Sequence, residues 1–151
     1  DQATLVPEKR MERTTEGGLD LFKKSSQLKK SVESLKKKNI EVSLFIDPDL
    51  KQLEEAKRLG ADAVEFHTGD YANQANTRGA DREFHRLRLA VQSAAHMKIT
   101  AHAGHGLDYQ NVVRLKSIQG LEELNIGFSI VSRALETGLE RAVREMVELS
   151  S

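Results

Sequence analysis

The 151-residue sequence has no cysteine, no tryptophan, only two prolines and no net charge, its 23 lysines and arginines balancing 23 aspartates and glutamates. Without thiols there is no disulfide framework, no thiolate zinc site and no thiol nucleophile. Without a charge excess, no whole-chain field draws in nucleic acid or an anionic membrane. No uninterrupted apolar run approaches the roughly 18 residues of a membrane span, and no signal-peptide pattern opens the sequence. The expectation is a cytoplasmic protein with neither a nucleic-acid nor a membrane partner. At 38% hydrophobic and 30% charged residues the composition suits one globular domain.

What is present is an alternation of short apolar, β-branched runs with longer amphipathic ones. Strands are expected at Ala3 to Pro7, Glu41 to Ile46, Ala63 to His67, Lys98 to Ala103 and Leu121 to Asn125. The first helical pattern places Leu21, Leu28, Val32 and Leu35 on one face, with lysines from Lys23 to Lys38 largely off it as a solvated surface. Further helices are expected at Leu50 to Leu59, Ala80 to Met97, Tyr109 to Ile118, Ile130 to Glu136 and Leu139 to Leu149, and a long polar loop, a candidate lid, at Thr68 to Gly79. Strands separated by helices imply βαβ units and a parallel sheet. The rival to a barrel, an open doubly wound sheet, normally carries a Gly-rich fingerprint after its first strand, and none is present. Because the sequence begins at Asp1 and runs straight into a strand pattern, a fragment is expected: part of a (β/α)8 TIM barrel, roughly strands four to eight with their helices, residues 1–151 forming the C-terminal part of a single domain.

In β/α barrels the working residues lie at the C-terminal ends of the strands. Four segments meet that test. His105 lies between Gly104 and Gly106 after the fourth strand pattern, where an imidazole can pass protons near neutral pH; the alternative is a loop histidine satisfied by a backbone carbonyl. Asn125-Ile126-Gly127-Phe128-Ser129 follows the last strand and opens a helix whose free N–H groups suit a phosphate, although a glycine there is also routine punctuation. Pro7-Glu8-Lys9-Arg10 with Thr14-Thr15-Glu16-Gly17-Gly18 has the look of a ligand loop, or else of an exposed turn. Glu65 and His67 share one side of their strand, either toward a barrel lumen, where a buried carboxylate is costly unless paired or functional, or toward the surrounding helices. His85 and His96 fall in a helix and read as ordinary surface residues.

Six segments, taken together and in order, resemble the pyridoxine 5′-phosphate synthase family. They are Thr4 to Arg10, Thr14 to Asp20, Ser43 to Asp47, Glu65 to Gly69 with Tyr71-Ala72, Ala103 to Leu107, and Glu123 to Gly127. The resemblance implies a barrel whose first three strands are absent from this sequence, and an assembly of several identical subunits. It also implies a cofactor-free condensation of 1-deoxy-D-xylulose 5-phosphate with 3-amino-2-oxopropyl phosphate, giving pyridoxine 5′-phosphate, phosphate and water. By position, His105 resembles the family's proton-donating histidine. Thr14 and Gly106 resemble substrate contacts, and Gly127 with Phe128 the phosphate-side contacts; Glu65 completes the candidate substrate-binding set. Phe128 stands where the family often has histidine, leaving only its backbone N–H to serve a phosphate, and His102 stands where asparagine is expected. The histidine base, glutamate and arginines that the family's first units supply have no counterpart here, so the chain alone is not expected to turn over.

Two other functions fit the residues. A metal-dependent barrel hydrolase would use His67, His102, His105 and Asp108 as ligands, although alternation sends His102 away from the side it would need. A non-catalytic piece would bind phosphate or a partner subunit and do no chemistry.

Overall fold

A computed structural model describes residues 1–7, 17–23, 25–75 and 77–151. Five strands lie side by side in chain order and all run parallel: β1 (Gln2–Leu5), β2 (Glu41–Ile46), β3 (Ala63–His67), β4 (Thr100–Gly104) and β5 (Leu121–Asn125). Between and after them come α1 (Ser25–Lys36), α2 (Leu50–Leu59), α3 (Gly69–Gln74), α4 (Ala80–His96), a 3₁₀ helix (Val112–Ser117), α5 (Phe128–Thr137) and α6 (Leu139–Ser150). None of the described helices is long and apolar enough to cross a membrane.

Alternation divides the sheet into an apolar face and a polar one. Val42, Leu44, Ile46, Val64, Phe66 and Ala101 pack with the inner faces of α1, α2 and α4 in one continuous core. Each fully buried leucine, valine or phenylalanine contributes about 1.5–3 kcal/mol, so this layer fixes the register. The intervening residues form the other face. There Ser43 pairs in register with Ala63, Phe45 with Glu65, Glu65 with His102, and His67 with Gly104. Glu65 and His67 therefore face away from the helices, on the side that carries the site.

Four expected elements differ, each for a local reason. The first strand ends at Leu5 rather than Pro7, and a proline has no N–H to donate to the ladder. The fourth begins at Thr100 because Lys98 adopts φ 56 and closes α4: the Lys98 N–H donates to Ala95 and the Ile99 N–H to Ala94. The expected loop from Thr68 to Gly79 contains α3, which buries Tyr71 against Phe84 at 6.4 Å between ring centroids and lets its hydroxyl donate to the Asn111 carbonyl at 2.7 Å. Likewise, the helix expected at Tyr109 to Ile118 is a 3₁₀ helix of Val112–Ser117. Asp108 accepts the N–H groups of Gln110 and Asn111 just before it and holds the chain in a turn. The lysines of α1 are exposed, and so are His85 and His96.

Candidate active site at the C-terminal ends of the strands

One cavity of about 900 Å³ opens beyond the C-terminal ends of the strands, a volume suited to a small-molecule site. Glu65, His105, Gly106, Gly127 and Phe128 all line it, so the structure brings together every described member of the candidate set. Thr14 and the Glu8 to Glu16 stretch around it lie outside the described residues.

His105 occupies an unusual backbone conformation. Its φ is 81° and that of Gly106 is 77°, a left-handed region that costs a residue with a Cβ about 1–2 kcal/mol. Glycine accepts this geometry freely; histidine does so only when its surroundings hold it there. They do. The Thr68 hydroxyl lies 2.7 Å from the carbonyls of both Gly104 and His105, and the Thr68 N–H donates to Gly104. The Asn111 amide donates to the Gly106 carbonyl at 3.1 Å, and the Ser129 hydroxyl donates to that of Leu107 at 2.8 Å. The imidazole is thereby placed 4.8 Å from the ring of His67, centroid to centroid. Burial, and then the charge on His67, hold the His105 pKa below the ordinary histidine value.

Glu65 is half-buried on the same face. Burial pushes its carboxyl pKa up, a nearby Glu123 adds to the rise, and the Asn125 amide and His67 oppose it. A Cβ on Gly104 would strike Glu65 Oε1 and come within 3.0 Å of Asn125, so only glycine at that place lets the carboxylate sit across β4. Burial thus raises the Glu65 carboxyl toward the neutral range, where a group can give and take protons, and lowers the His105 imidazole below its ordinary value.

The far wall is the start of α5. Gly127 (φ −115) precedes it without a side-chain cap, so its first N–H groups are open to an anion. Phe128 is 91% exposed, leaving its backbone N–H as its contribution to an anion site.

The ligands suggested for a metal do not converge. His102 lies down the strand, level with Glu65 and Glu123, and lines a separate cavity at the N-terminal ends of the strands. Among the described residues no group of three or more histidine and carboxylate side chains is placed to hold a metal ion.

Sequence reasoning quoted two further contributors within longer segments but gave neither a role. Asp47, just after β2, accepts the Gly18 N–H at 3.0 Å and lies 3.3 Å from His67 Nδ1; these contacts, the His67 one foremost, hold its carboxyl below the usual aspartate value despite burial. Asn125, the last residue of β5, adjusts Glu65. Both stand at C-terminal strand ends, which is the signal that could have marked them.

Comparison with known proteins shows the family. A model of the family described as "Pyridoxal phosphate biosynthesis protein PdxJ" matches residues 1–151. The chain is 48% identical to the pyridoxine 5′-phosphate synthase of Trichlorobacter lovleyi over 99% of its residues and 62% of that protein. It is 49% identical to that of Syntrophotalea carbinolica, again across 99% of this chain and 62% of the relative. A synthase of Prochlorococcus marinus is 51% identical, with 100% of this chain and 63% of the relative aligned. The chain therefore spans a little over three fifths of the length of the curated relatives it matches.

Proposed function

The chain belongs to the pyridoxal phosphate biosynthesis protein PdxJ family, and from that premise we propose that the full protein is a pyridoxine 5′-phosphate synthase. It joins 1-deoxy-D-xylulose 5-phosphate to 3-amino-2-oxopropyl phosphate in the cytoplasm, without a cofactor, and releases phosphate and water. The observation that carries this reading is the placement of His105: a histidine held at φ 81 over a cavity that also receives Glu65 and the open N-terminus of α5.

The reaction adds an amine to a ketone, expels phosphate and water, and closes a ring. Each step moves a proton, so positioned acids and bases suffice once both phosphates are anchored. His105 donates a proton to the departing phosphate group. Glu65 lies across the same cavity, where its raised pKa suits it to exchange protons with the condensing carbonyl. The N–H groups at Gly106, Gly127 and Phe128 hold a substrate phosphate, and Thr14 contacts the other reactant.

The described sheet supports placement as strands four to eight of an eight-stranded barrel, with residues 1–151 the C-terminal part of one domain. Five parallel strands in chain order are five eighths of such a barrel, close to the 62% of the relatives' length that the chain spans. Phe128, Val131 and Leu135 on α5, with Leu139, Val143 and Val147 on α6, are exposed apolar side chains, which support further protein packed there. The reading supplies it as the remaining barrel units and, beyond them, identical subunits.

The test is turnover by the full-length gene product, supplied with the two phosphorylated substrates and assayed for pyridoxine 5′-phosphate and released phosphate. Formation of both products in equal amounts is expected. A purified, folded protein that forms neither would contradict the reading.

A further inference from the structure

His67 has no part in the reading above, yet it is among the most constrained side chains in the molecule. It is 6% exposed. Its ring meets Phe45 edge-on at 5.4 Å and lies tilted by 44° over the His105 ring at 4.8 Å. Nδ1 faces Asp47 at 3.3 Å, and Asp47 is itself oriented by the Gly18 N–H. Nε2 is buried and has no hydrogen-bond partner among the described residues. The ring lies so close to α3 that a Cβ on Gly69 would come 2.6 Å from both Cε1 and Nε2, and 3.4 Å from Cδ2 of His105. The two imidazoles and the Gly69 backbone therefore occupy one slot.

We propose that His67, oriented by Asp47, is the positioning residue for His105: it fixes the plane of the reacting imidazole and sets the charge beside it. The carboxylate of Asp47 accepts only, so Nδ1 of His67 turns its N–H toward it and the plane of the ring is fixed. The other charged groups around His105 do not compete for this role. Glu65 on β3 faces it across the cavity and is itself held by Asn125. Asp70 on α3 turns out to Arg86, and Arg133 on α5 is engaged by Glu136 and Glu145. Asp108, in its own loop, accepts the backbone N–H groups of Gln110 and Asn111.

This inference rests on the reading of His105 as the proton donor, so its test has an arm that does not depend on turnover. In full-length protein carrying isotope-labelled histidine, the His105 ring is titrated by NMR in the wild type, in His67→Asn and in Asp47→Asn. Steady-state rates are measured on the same samples. The expected result for His67→Asn is a His105 midpoint that rises toward the ordinary value of about 6.5, with kcat lower by up to roughly 10²-fold and KM nearly unchanged. Asp47→Asn keeps an oxygen for the Gly18 N–H and for Nδ1 but removes the carboxylate charge that orients His67. It is the second, milder route to the same loss. A His105 midpoint that stays put in both variants overturns the proposal, even if kcat falls, because His67 would then be packing alone. A moved midpoint with kcat retained in both also overturns it. Absence of turnover in the wild type would sink the synthase reading while leaving the titration result to stand.

Discussion

A single methyl group at Gly69 tests whether the histidine pair is as tightly packed as the structure shows. In Gly69→Ala the new Cβ falls 2.6 Å from the His67 ring, which must retreat by about 1 Å to reach an ordinary carbon contact of roughly 3.5 Å. The ring has little room to retreat, since Phe45 packs on it in a T-shaped pair at 5.4 Å and Asp47 faces Nδ1. Overpacking of this kind costs about 1–3 kcal/mol, offset by the ~0.5–1 kcal/mol that alanine gains over glycine within a helix such as α3. A net loss of about 1 kcal/mol lowers Tm by about 2–4 °C in a chain of this size. Differential scanning calorimetry reads that shift. Gly127→Ala is the control: no atom of the described residues lies within 4 Å of its added Cβ and its φ of −115 suits any residue, so Tm should hold. An unchanged or higher Tm in Gly69→Ala would refute the claim that His67 is locked.

Further outcomes follow from single residues. Lys98→Gly relieves a φ of 56 at the end of α4, where Gly60 already serves the same purpose for α2; a gain of about 1 kcal/mol is expected by chemical denaturation, against the 1–2 kcal/mol that left-handed residues store. Glu65→Gln removes a carboxyl whose folded pKa is raised by burial. The folded wild type binds the extra proton above the ordinary glutamate value of about 4.3, so its stability falls as pH rises through that window and stays lower above it. The Tm of the variant relative to wild type should therefore climb from acid to neutral pH, and a difference that shrinks would contradict the burial. Inorganic phosphate should shift the backbone amide signals of Gly106, Gly127 and Phe128 first, whereas shifts confined to the Lys23 to Lys38 region would place the anion elsewhere.

The parallel order of the sheet was legible because each strand reads as a short apolar run between helical patterns, and period-two alternation put Glu65 with His67 on one side. Which side was not legible. It was settled by Val64 and Phe66 joining the helix-covered core, a tertiary fact no local pattern contains. α3 was missed because Gly69 to Gln74 has no apolar periodicity and a glycine at its start; it is held by Tyr71 and Thr68 reaching residues more than 30 positions away. The strand ending at Gly104 was drawn too early because Lys98 gives no sign that it will take a left-handed turn. His105 was marked by its flanking glycines, but its own strained φ and its packing on His67 arise only when β3 and β4 pair. The Asp47 contact likewise joins the end of β2 to the end of β3.

The central claim is that His105 supplies the proton at this site, and replacing it in the full-length protein tests that most directly. His105→Asn keeps polarity and approximate size while removing the titrating ring. With steady-state rates and equilibrium substrate binding measured on the same variant, kcat should drop by roughly 10²–10⁴-fold while affinity changes little, because the phosphates are held by backbone N–H groups and other residues. An unchanged kcat with weakened binding would contradict the account and leave His105 a substrate clamp.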